Sequence, residues 1–111
     1  LGRDNGILAS PNRLREMEFL SRALRAARHD PTFPPPQLLL AMATLHGAKA
    51  LGLEQEIGSI EVGKRADLVF FDATTPNLRP MINPLASIVN RAEAADVRCT
   101  MIDGRVVYGE L

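Results

Sequence analysis

The amino-acid sequence predicts an α+β chain, with helices in the first half and a small β-sheet in the second. Three observations support this fold class. Apolar residues recur at three- and four-residue steps before residue 52. After Gly52 the apolar runs become short and glycines separate them. Finally, Asp103-Gly104 stands between two apolar runs, and this dipeptide is a strong signal of a tight hairpin turn.

The 111-residue chain has the composition of an ordinary globular protein. Apolar residues make up 46% and charged residues 23%, and 13 basic residues balance 13 acidic ones. This composition argues against disorder and lacks the dense basic surface of a nucleic-acid-binding protein. No apolar run reaches the ~18 residues that a membrane helix needs, and the first residues of this sequence do not have the pattern of a signal peptide. The first residue is Leu rather than Met, so we expect the chain to begin inside a longer one.

Cys99 is the single cysteine of the chain, which excludes an internal disulfide. Absence of disulfides fits a reducing compartment, and we therefore predict a cytoplasmic protein. Because Cys99 falls within a strand-like run, we expect it to be a small buried apolar side chain.

The first helix is predicted to follow a short strand end and loop at residues 1–12. Ser10 before Pro11 favours a helix start, because Ser caps free backbone N–H groups and Pro suits the first helical position. His29, followed by Asp30-Pro31, is predicted to end the helix. The apolar stripe consists of Leu14, Met17, Leu20, Leu24 and Ala27. Five arginines lie mostly off this stripe and indicate a solvated outer face, with a partner-binding face as the alternative: Arg13, Arg15, Arg22, Arg25 and Arg28.

A second helix is predicted from about Pro36 to Leu51, with Gly52 as the residue that ends it. Gly47 inside this helix costs up to ~1 kcal/mol of helix propensity relative to Ala. We therefore expect another backbone to pack closely at Gly47.

The second half is predicted to contain four strands and one short helix, at residues 57–62, 66–72, 97–102 and 105–108 for the strands and 84–91 for the helix. The run at 66–72 is almost continuously apolar, which predicts cover on both of its faces. A sheet of so few strands leaves an unpaired edge. We therefore expect that partner strands are missing from this chain. Homo-oligomerisation or strand swapping through this edge is a further expectation.

The order and spacing of several segments resemble the C-terminal end of the amidohydrolase superfamily. These segments are ATLHGAKALGL at 43–53, IGSIEVGKRADLV at 57–69, Asp96-Val97, and MIDGRVV at 101–107. The resemblance is closest to the branch of nucleobase-type deaminases and triazine chlorohydrolases, and it covers essentially the whole chain.

The resemblance implies a (β/α)₈ TIM barrel that carries the metal site, flanked by a small β-sandwich built from both chain ends. Residues 1–52 would be the end of the barrel, namely the end of its last strand and two helices. Residues 53–111 would be the C-terminal part of the β-sandwich. The sequence is thus interpreted as an α+β fragment of a larger enzyme.

Asp4 is the candidate catalytic and metal-binding residue, since it matches the family's aspartate at the end of the last barrel strand. In the family this carboxylate binds the metal and receives a proton from the metal-bound water. A divalent metal lowers the pKa of bound water toward ~7, and a nearby carboxylate passes the proton to the leaving group. The resemblance implies zinc, with iron as the alternative.

The family's other ligands are histidines of earlier strands, including a His-x-His pair. Neither His29 nor His46 matches them, and one carboxylate does not hold zinc where three or four protein ligands are normal. We therefore expect this chain alone to bind no metal and to be inactive. Arg3 stands where the family commonly has Thr, and its guanidinium would weaken Asp4 as a base if it reached the carboxylate. Asn5 is a weak substrate-binding candidate.

The remaining family-like residues, Gly58, Gly63, Lys64 and Asp67, are interpreted as structural, and Asp67 is expected to bond to backbone N–H groups. The predicted function of the complete protein is hydrolysis of carbon–nitrogen bonds other than peptide bonds, with deamination of a cyclic, nucleobase-like small molecule favoured. A chlorohydrolase or amide hydrolase of the same superfamily is one alternative. A non-catalytic β module for oligomer assembly is the other.

Overall fold

A computed structural model describes residue 1 and residues 12–111 of the chain. In this part, four α-helices and three strands form one α+β unit, and none of the helices is long and apolar enough to cross a membrane. The elements in chain order are α1 (Arg13–Arg28), α2 (Pro36–Ala43), α3 (Leu45–Ala50), β1 (Leu68–Phe71), α4 (Pro84–Arg91), β2 (Val97–Ile102) and β3 (Arg105–Gly109). A short 3₁₀ turn, Ala94–Asp96, precedes β2.

Helix α1 begins at Arg13, and its cap is Asn12 rather than the predicted Ser10. The Asn12 side chain accepts a hydrogen bond from the Leu14 N–H at 3.0 Å, which satisfies one of the free donors of the first turn. At the other end His29 takes φ 51° and its N–H donates to the Arg25 carbonyl. The predicted end of the helix at His29 is confirmed.

The prediction of one continuous second helix is wrong, because Thr44 divides this segment into α2 and α3. Thr44 lies outside the helical region at φ −130° and ψ −91°. Its hydroxyl donates to the Leu40 carbonyl at 2.6 Å, the local bond by which Thr competes with regular helix. Gly52 takes φ +70° and donates to the Lys49 carbonyl at 3.0 Å, which confirms it as the residue that ends the helical segment.

The three strands form an antiparallel sheet in the order β1-β2-β3. Asp103 at φ 50° and Gly104 at φ 77° form the turn between β2 and β3, so the predicted hairpin with two positive φ angles is confirmed. The predicted cover on both faces of the β1 run is wrong for this chain, because Val69 remains 53% exposed.

The predicted strand at 57–62 is wrong, because residues 54–64 form turns that lie on α3. Gly58 takes φ +95°, and a Cβ built on it would stand 2.9 Å from both the Ala48 Cβ and the Leu45 Cα. At Gly47 a Cβ would meet nothing within 4 Å, so the predicted close approach at that residue is also wrong. The chain needs its small residue on the loop at Gly58, where two backbones meet.

The core lies where α1, α2 and α4 meet. Met17, Leu39 and Val89 form its buried centre, one residue from each helix. A polar contact joins α1 to α4 beside it, from the Ser21 hydroxyl to the Asn90 side-chain oxygen at 3.3 Å. Cys99 is completely buried in β2, as predicted.

Asp96 fastens the long connection after β1 to the start of β2. Its buried carboxylate accepts hydrogen bonds from the Glu93 N–H at 2.8 Å and the Asn77 side-chain amide at 3.2 Å. Burial raises the pKa of Asp96, but hydrogen bonds from Thr75, Glu93 and Asn77 outweigh burial and hold the pKa below its ordinary value. The folded state therefore favours the ionised carboxylate.

Gly58→Ala should lower the free energy of unfolding by about 2 kcal/mol, because the added methyl collides with α3 and the positive φ strains a residue with a Cβ. Gly47→Ala is the matched control: it adds the same methyl in open space within a helix and should stabilise the fold by up to ~1 kcal/mol. Urea unfolding of both variants tests this. Equal effects of the two changes would contradict the packing described for Gly58.

Asp96→Ala should destabilise the fold by about 1–3 kcal/mol, because it removes the buried carboxylate that accepts from the Glu93 N–H and the Asn77 amide. Since the folded pKa of Asp96 is lowered, its ionised form stabilises the fold above the unfolded pKa of about 4. This contribution is lost as the pH falls through the folded pKa. Unfolding free energies measured at several pH values should therefore fall less steeply in acid for Asp96→Asn than for the unaltered chain. If Asp96→Asn and the unaltered chain lose stability equally at low pH, protonation of Asp96 does not cause the loss.

Candidate functional site

The predicted site residues Asp4 and Asn5, and the neighbouring Arg3, lie outside the described residues, so their roles stay predictions. Leu1 is the described residue nearest to them on the N-terminal side. Its backbone nitrogen donates to the Met42 carbonyl at 2.9 Å, and its own carbonyl accepts from the Arg13 guanidinium at 2.7 Å. Leu1 is thereby held against the end of α2 and the start of α1.

Across residue 1 and residues 12–111, no group of three or more His, Cys, Asp or Glu side chains could hold a metal ion. His29 is exposed at the end of α1, and His46 is exposed in the first turn of α3. The described part therefore lacks the donor set that a catalytic zinc site requires.

Lys64 is the centre of a polar network within the turns that lie on α3. Its side chain is only 12% exposed and forms an ion pair with the Glu61 carboxylate at 2.8 Å. The ammonium also donates to the Ser59 hydroxyl at 2.7 Å and to the Glu54 carbonyl. Hydrogen bonds from Lys64 and Ser59, together with the positive charge, hold the pKa of Glu61 below its ordinary value. Lys64 thus ties together residues 54–64.

Asp67 joins the start of β1 to the hairpin between β2 and β3. Its carboxylate accepts from the Asp103 N–H at 2.7 Å, which confirms the predicted bond to a backbone N–H. The Arg65 guanidinium lies 3.3 Å from the Asp103 carboxylate, and the Gly104 N–H donates to the Ala66 carbonyl at 3.0 Å. The family-like run around residue 65 therefore holds the hairpin in register with β1. Sequence reasoning missed the pairing of Arg65 with Asp103, because the two residues are 38 positions apart.

The larger cleft of the described part, about 640 Å³, lies between β1 and the end of α2. Residues that line it are Leu40, Ala43, Thr44, Ile57, Gly58, Ser59, Ile60, Arg65, Asp67, Leu68, Val69 and Phe70. Most of them are apolar. The charged pair Arg65 and Asp67 is already engaged with Asp103, so the cleft suits an apolar occupant better than a polar substrate.

A smaller cleft of about 310 Å³ lies beside α4 and includes Arg91. The Arg91 guanidinium donates to the carbonyl oxygens of Leu78, Arg79 and Pro80 at 3.0–3.2 Å. It therefore serves to fasten the preceding loop to the helix.

The family model described as "Amidohydrolase family" matches residues 1–107 of the chain. Among curated relatives, the 5-methylthioadenosine/S-adenosylhomocysteine deaminase of Desulforudis audaxviator is 45% identical over 96 residues. That match covers 86% of this chain and 22% of the relative. The enzyme of the same name from Desulfovibrio desulfuricans is 40% identical over an alignment of 111 positions. That alignment covers 97% of this chain and 24% of the relative. The chain thus spans between a fifth and a quarter of these relatives.

Two solved structures share the fold. A crystal structure of an adenosine deaminase from Xanthomonas campestris with bound zinc superposes with a TM-score of 0.82 at 33% identity, over 86% of this chain and 22% of that one. The guanine deaminase of E. coli superposes with a TM-score of 0.68 at 26% identity, over 90% of this chain and 24% of that one. The small α+β unit is therefore also present within much longer deaminase chains.

Lys64→Met should lower the free energy of unfolding by about 1–3 kcal/mol, because the variant removes the charged hydrogen bonds of an ammonium whose side chain is only 12% exposed. Lys49→Met is the matched control on an exposed position of α3 and should stay within about 0.5 kcal/mol of the unaltered chain. Thermal or urea unfolding compares the two. A neutral Lys64 variant would mean that the turns on α3 hold without the ammonium group.

Proposed function

The chain belongs to the amidohydrolase family, and we propose that it is the C-terminal portion of a metal-dependent deaminase. The observation that carries this proposal is the 45% identity to a deaminase over 86% of the chain. The shared fold with two further deaminases, at TM-scores of 0.82 and 0.68, supports the same reaction class.

We propose that residues 1–52 are the end of a (β/α)₈ barrel and that residues 53–111 are the C-terminal part of a β-sandwich. Among the described residues, no further strand pairs with either edge of the sheet of three strands, which supports this assignment because an independent domain rarely leaves both edges of so small a sheet unpaired. Barrel enzymes place their chemistry at the C-terminal ends of the strands, where Asp4 would lie.

The described residues do not fit a metal ion by themselves, since they bring no three donor side chains together. We therefore propose that this chain alone holds no metal and is inactive. In the complete protein, Asp4 would contribute one carboxylate to a set completed by residues outside this chain. The zinc in the related adenosine deaminase favours zinc over iron.

The proposed role of Asp4 is to move a proton. Water adds to the ring carbon that carries the amino group, and ammonia leaves from the same carbon. A carboxylate takes the proton of the water and delivers it to the departing nitrogen, which is general base and then general acid catalysis by one group. The names of the relatives favour an adenine-bearing nucleoside or thioether nucleoside as substrate.

Ammonia release by the complete gene product tests the proposed reaction. The substrates to compare are 5-methylthioadenosine, S-adenosylhomocysteine, adenosine and guanine, with a chlorinated triazine and a cyclic amide for the two alternative hydrolases. We expect turnover of at least one aminopurine and about one zinc per chain by metal analysis. The 111-residue chain alone should show neither. Turnover of only the chlorinated or amide compound would replace the deaminase with the corresponding alternative.

Asp4→Asn in the complete protein should lower kcat/KM by at least about 10²-fold, because an amide does not accept and return the proton. Asp30→Asn is the matched control: this partly exposed carboxylate accepts hydrogen bonds from the Thr32 N–H and hydroxyl, and an Asn side chain preserves an acceptor. Steady-state kinetics with the preferred substrate measure both. Full activity of the Asp4 variant would remove Asp4 from the mechanism.

A further inference from the structure

The turn between β2 and β3 brings together the two groups of an intramolecular reaction. Its residues, Asp103 and Gly104, form the one Asp-Gly pair of the sequence. In such a pair the glycine nitrogen can attack the aspartate Cγ, because glycine has no Cβ to hinder the approach. The N–C bond forms, the Cγ–OH bond breaks, and the hydroxyl leaves with the amide proton as water. Water then opens the resulting succinimide ring, and one product is isoaspartate, in which the main chain passes through the side-chain carboxyl carbon.

Solvent reaches this turn freely. The Asp103 side chain is 63% exposed, and among the described residues a Cβ on Gly104 would meet no atom within 4 Å. Neither burial nor a neighbouring atom of this part of the chain therefore blocks ring closure or the entry of water. Protection of the pair in the folded protein has to come from hydrogen bonds and charge.

Three consecutive residues just before β1 engage the groups that would react. The Gly104 N–H, which carries the attacking nitrogen, donates to the Ala66 carbonyl at 3.0 Å. The Arg65 guanidinium lies 3.3 Å from the Asp103 carboxylate and pairs with its ionised form, whereas ring closure needs the neutral acid so that water can leave. The Asp67 carboxylate accepts from the Asp103 N–H at 2.7 Å and fixes the backbone that precedes the reacting side chain. Both reacting groups are thus already bonded elsewhere.

We infer that residues 65–67 protect the Asp103-Gly104 turn from isoaspartate formation, so that the turn reacts only when it opens away from them. Isoaspartate adds a methylene to the main chain of a two-residue turn, between Ile102 and Arg105, which are paired across β2 and β3. The longer turn no longer sets the strand register, because turn length fixes register in a hairpin. The dipeptide that suits this turn through its two positive φ angles is therefore also a chemical weak point, which the segment before β1 offsets. The inference does not depend on the reaction that the complete protein catalyses.

Prolonged incubation of the complete gene product at neutral pH, followed by trypsin digestion, measures the reaction. Trypsin cleaves after Arg98 and Arg105 and releases residues 99–105 as one peptide, in which chromatography separates isoaspartate from aspartate. The synthetic peptide of residues 99–105 gives the rate without protection. We expect isoaspartate to form at least about tenfold more slowly in the folded protein than in this peptide, because the reaction has to wait for local opening. Equal rates in the protein and the peptide would overturn the inference.

Asp67→Ala and Asp72→Ala form a matched pair, because the same change is made just before β1 and just after it. Asp67→Ala removes the acceptor of the Asp103 N–H and should raise the rate of isoaspartate formation about tenfold. Asp72→Ala removes bonds to Thr74 at the other end of the strand and should leave the rate unchanged. Asp67→Asn keeps an acceptor oxygen and should restore most of the protection. Equal rates in the two alanine variants would show that residues 65–67 do not protect the turn.

Urea unfolding of the same variants separates local opening of the turn from loss of the whole fold. Protection by residues 65–67 predicts faster isoaspartate formation in Asp67→Ala at a midpoint close to that of the unaltered protein. If the rate instead rises only in proportion to the globally unfolded fraction, unfolding of the protein exposes the turn and the inference is wrong.

Discussion

The close contact between Gly58 and α3 is the constraint on which the placement of the sheet depends. There is no room for a Cβ at this position, because the Leu45 Cα and Ala48 Cβ would both lie 2.9 Å away. The turns around it are tied to one another by the Lys64 ammonium, which bonds to Glu54, Ser59 and Glu61. They lead directly into Arg65 and Asp67, which hold the β2–β3 hairpin. The contact at Gly58 thus holds this loop against α3, and residues 57–60 of the loop line the adjoining cleft.

Features that depend on local interactions could be predicted from the sequence. The end of α1 at His29, the end of the helical segment at Gly52 and the Asp103-Gly104 turn follow from residues a few positions apart. The break at Thr44 and the turns at 57–62 were not predicted, because apolar periodicity does not reveal which backbones approach each other. The sequence predicts a close approach of another backbone at Gly47 in the helix. In the structure the close approach is at Gly58 on the loop.

The candidate site is even harder to predict from local sequence patterns than the fold. The family resemblance predicts that Asp4 carries a proton, whereas physical reasoning about one aspartate in a glycine-rich loop favours a turn residue. Metal ligands come from distant parts of a barrel, so no local pattern in a terminal segment reveals them. What the described residues do explain is why Lys64, Asp67 and Gly58 belong to the family-like run. Each holds one structural junction.

The open edge of β1 and the missing ligands have one cause under the proposed function. Under that proposal, the strands that would complete the sheet and the histidines that would join Asp4 both come from outside these 111 residues. A barrel strand cannot present Asp4 in a fixed direction unless its neighbours are folded beside it. Metal binding contributes its free energy only to a state in which all ligands are in place. Completion of the sheet and completion of the metal site are therefore expected to occur together, as parts of one folding transition of the whole enzyme.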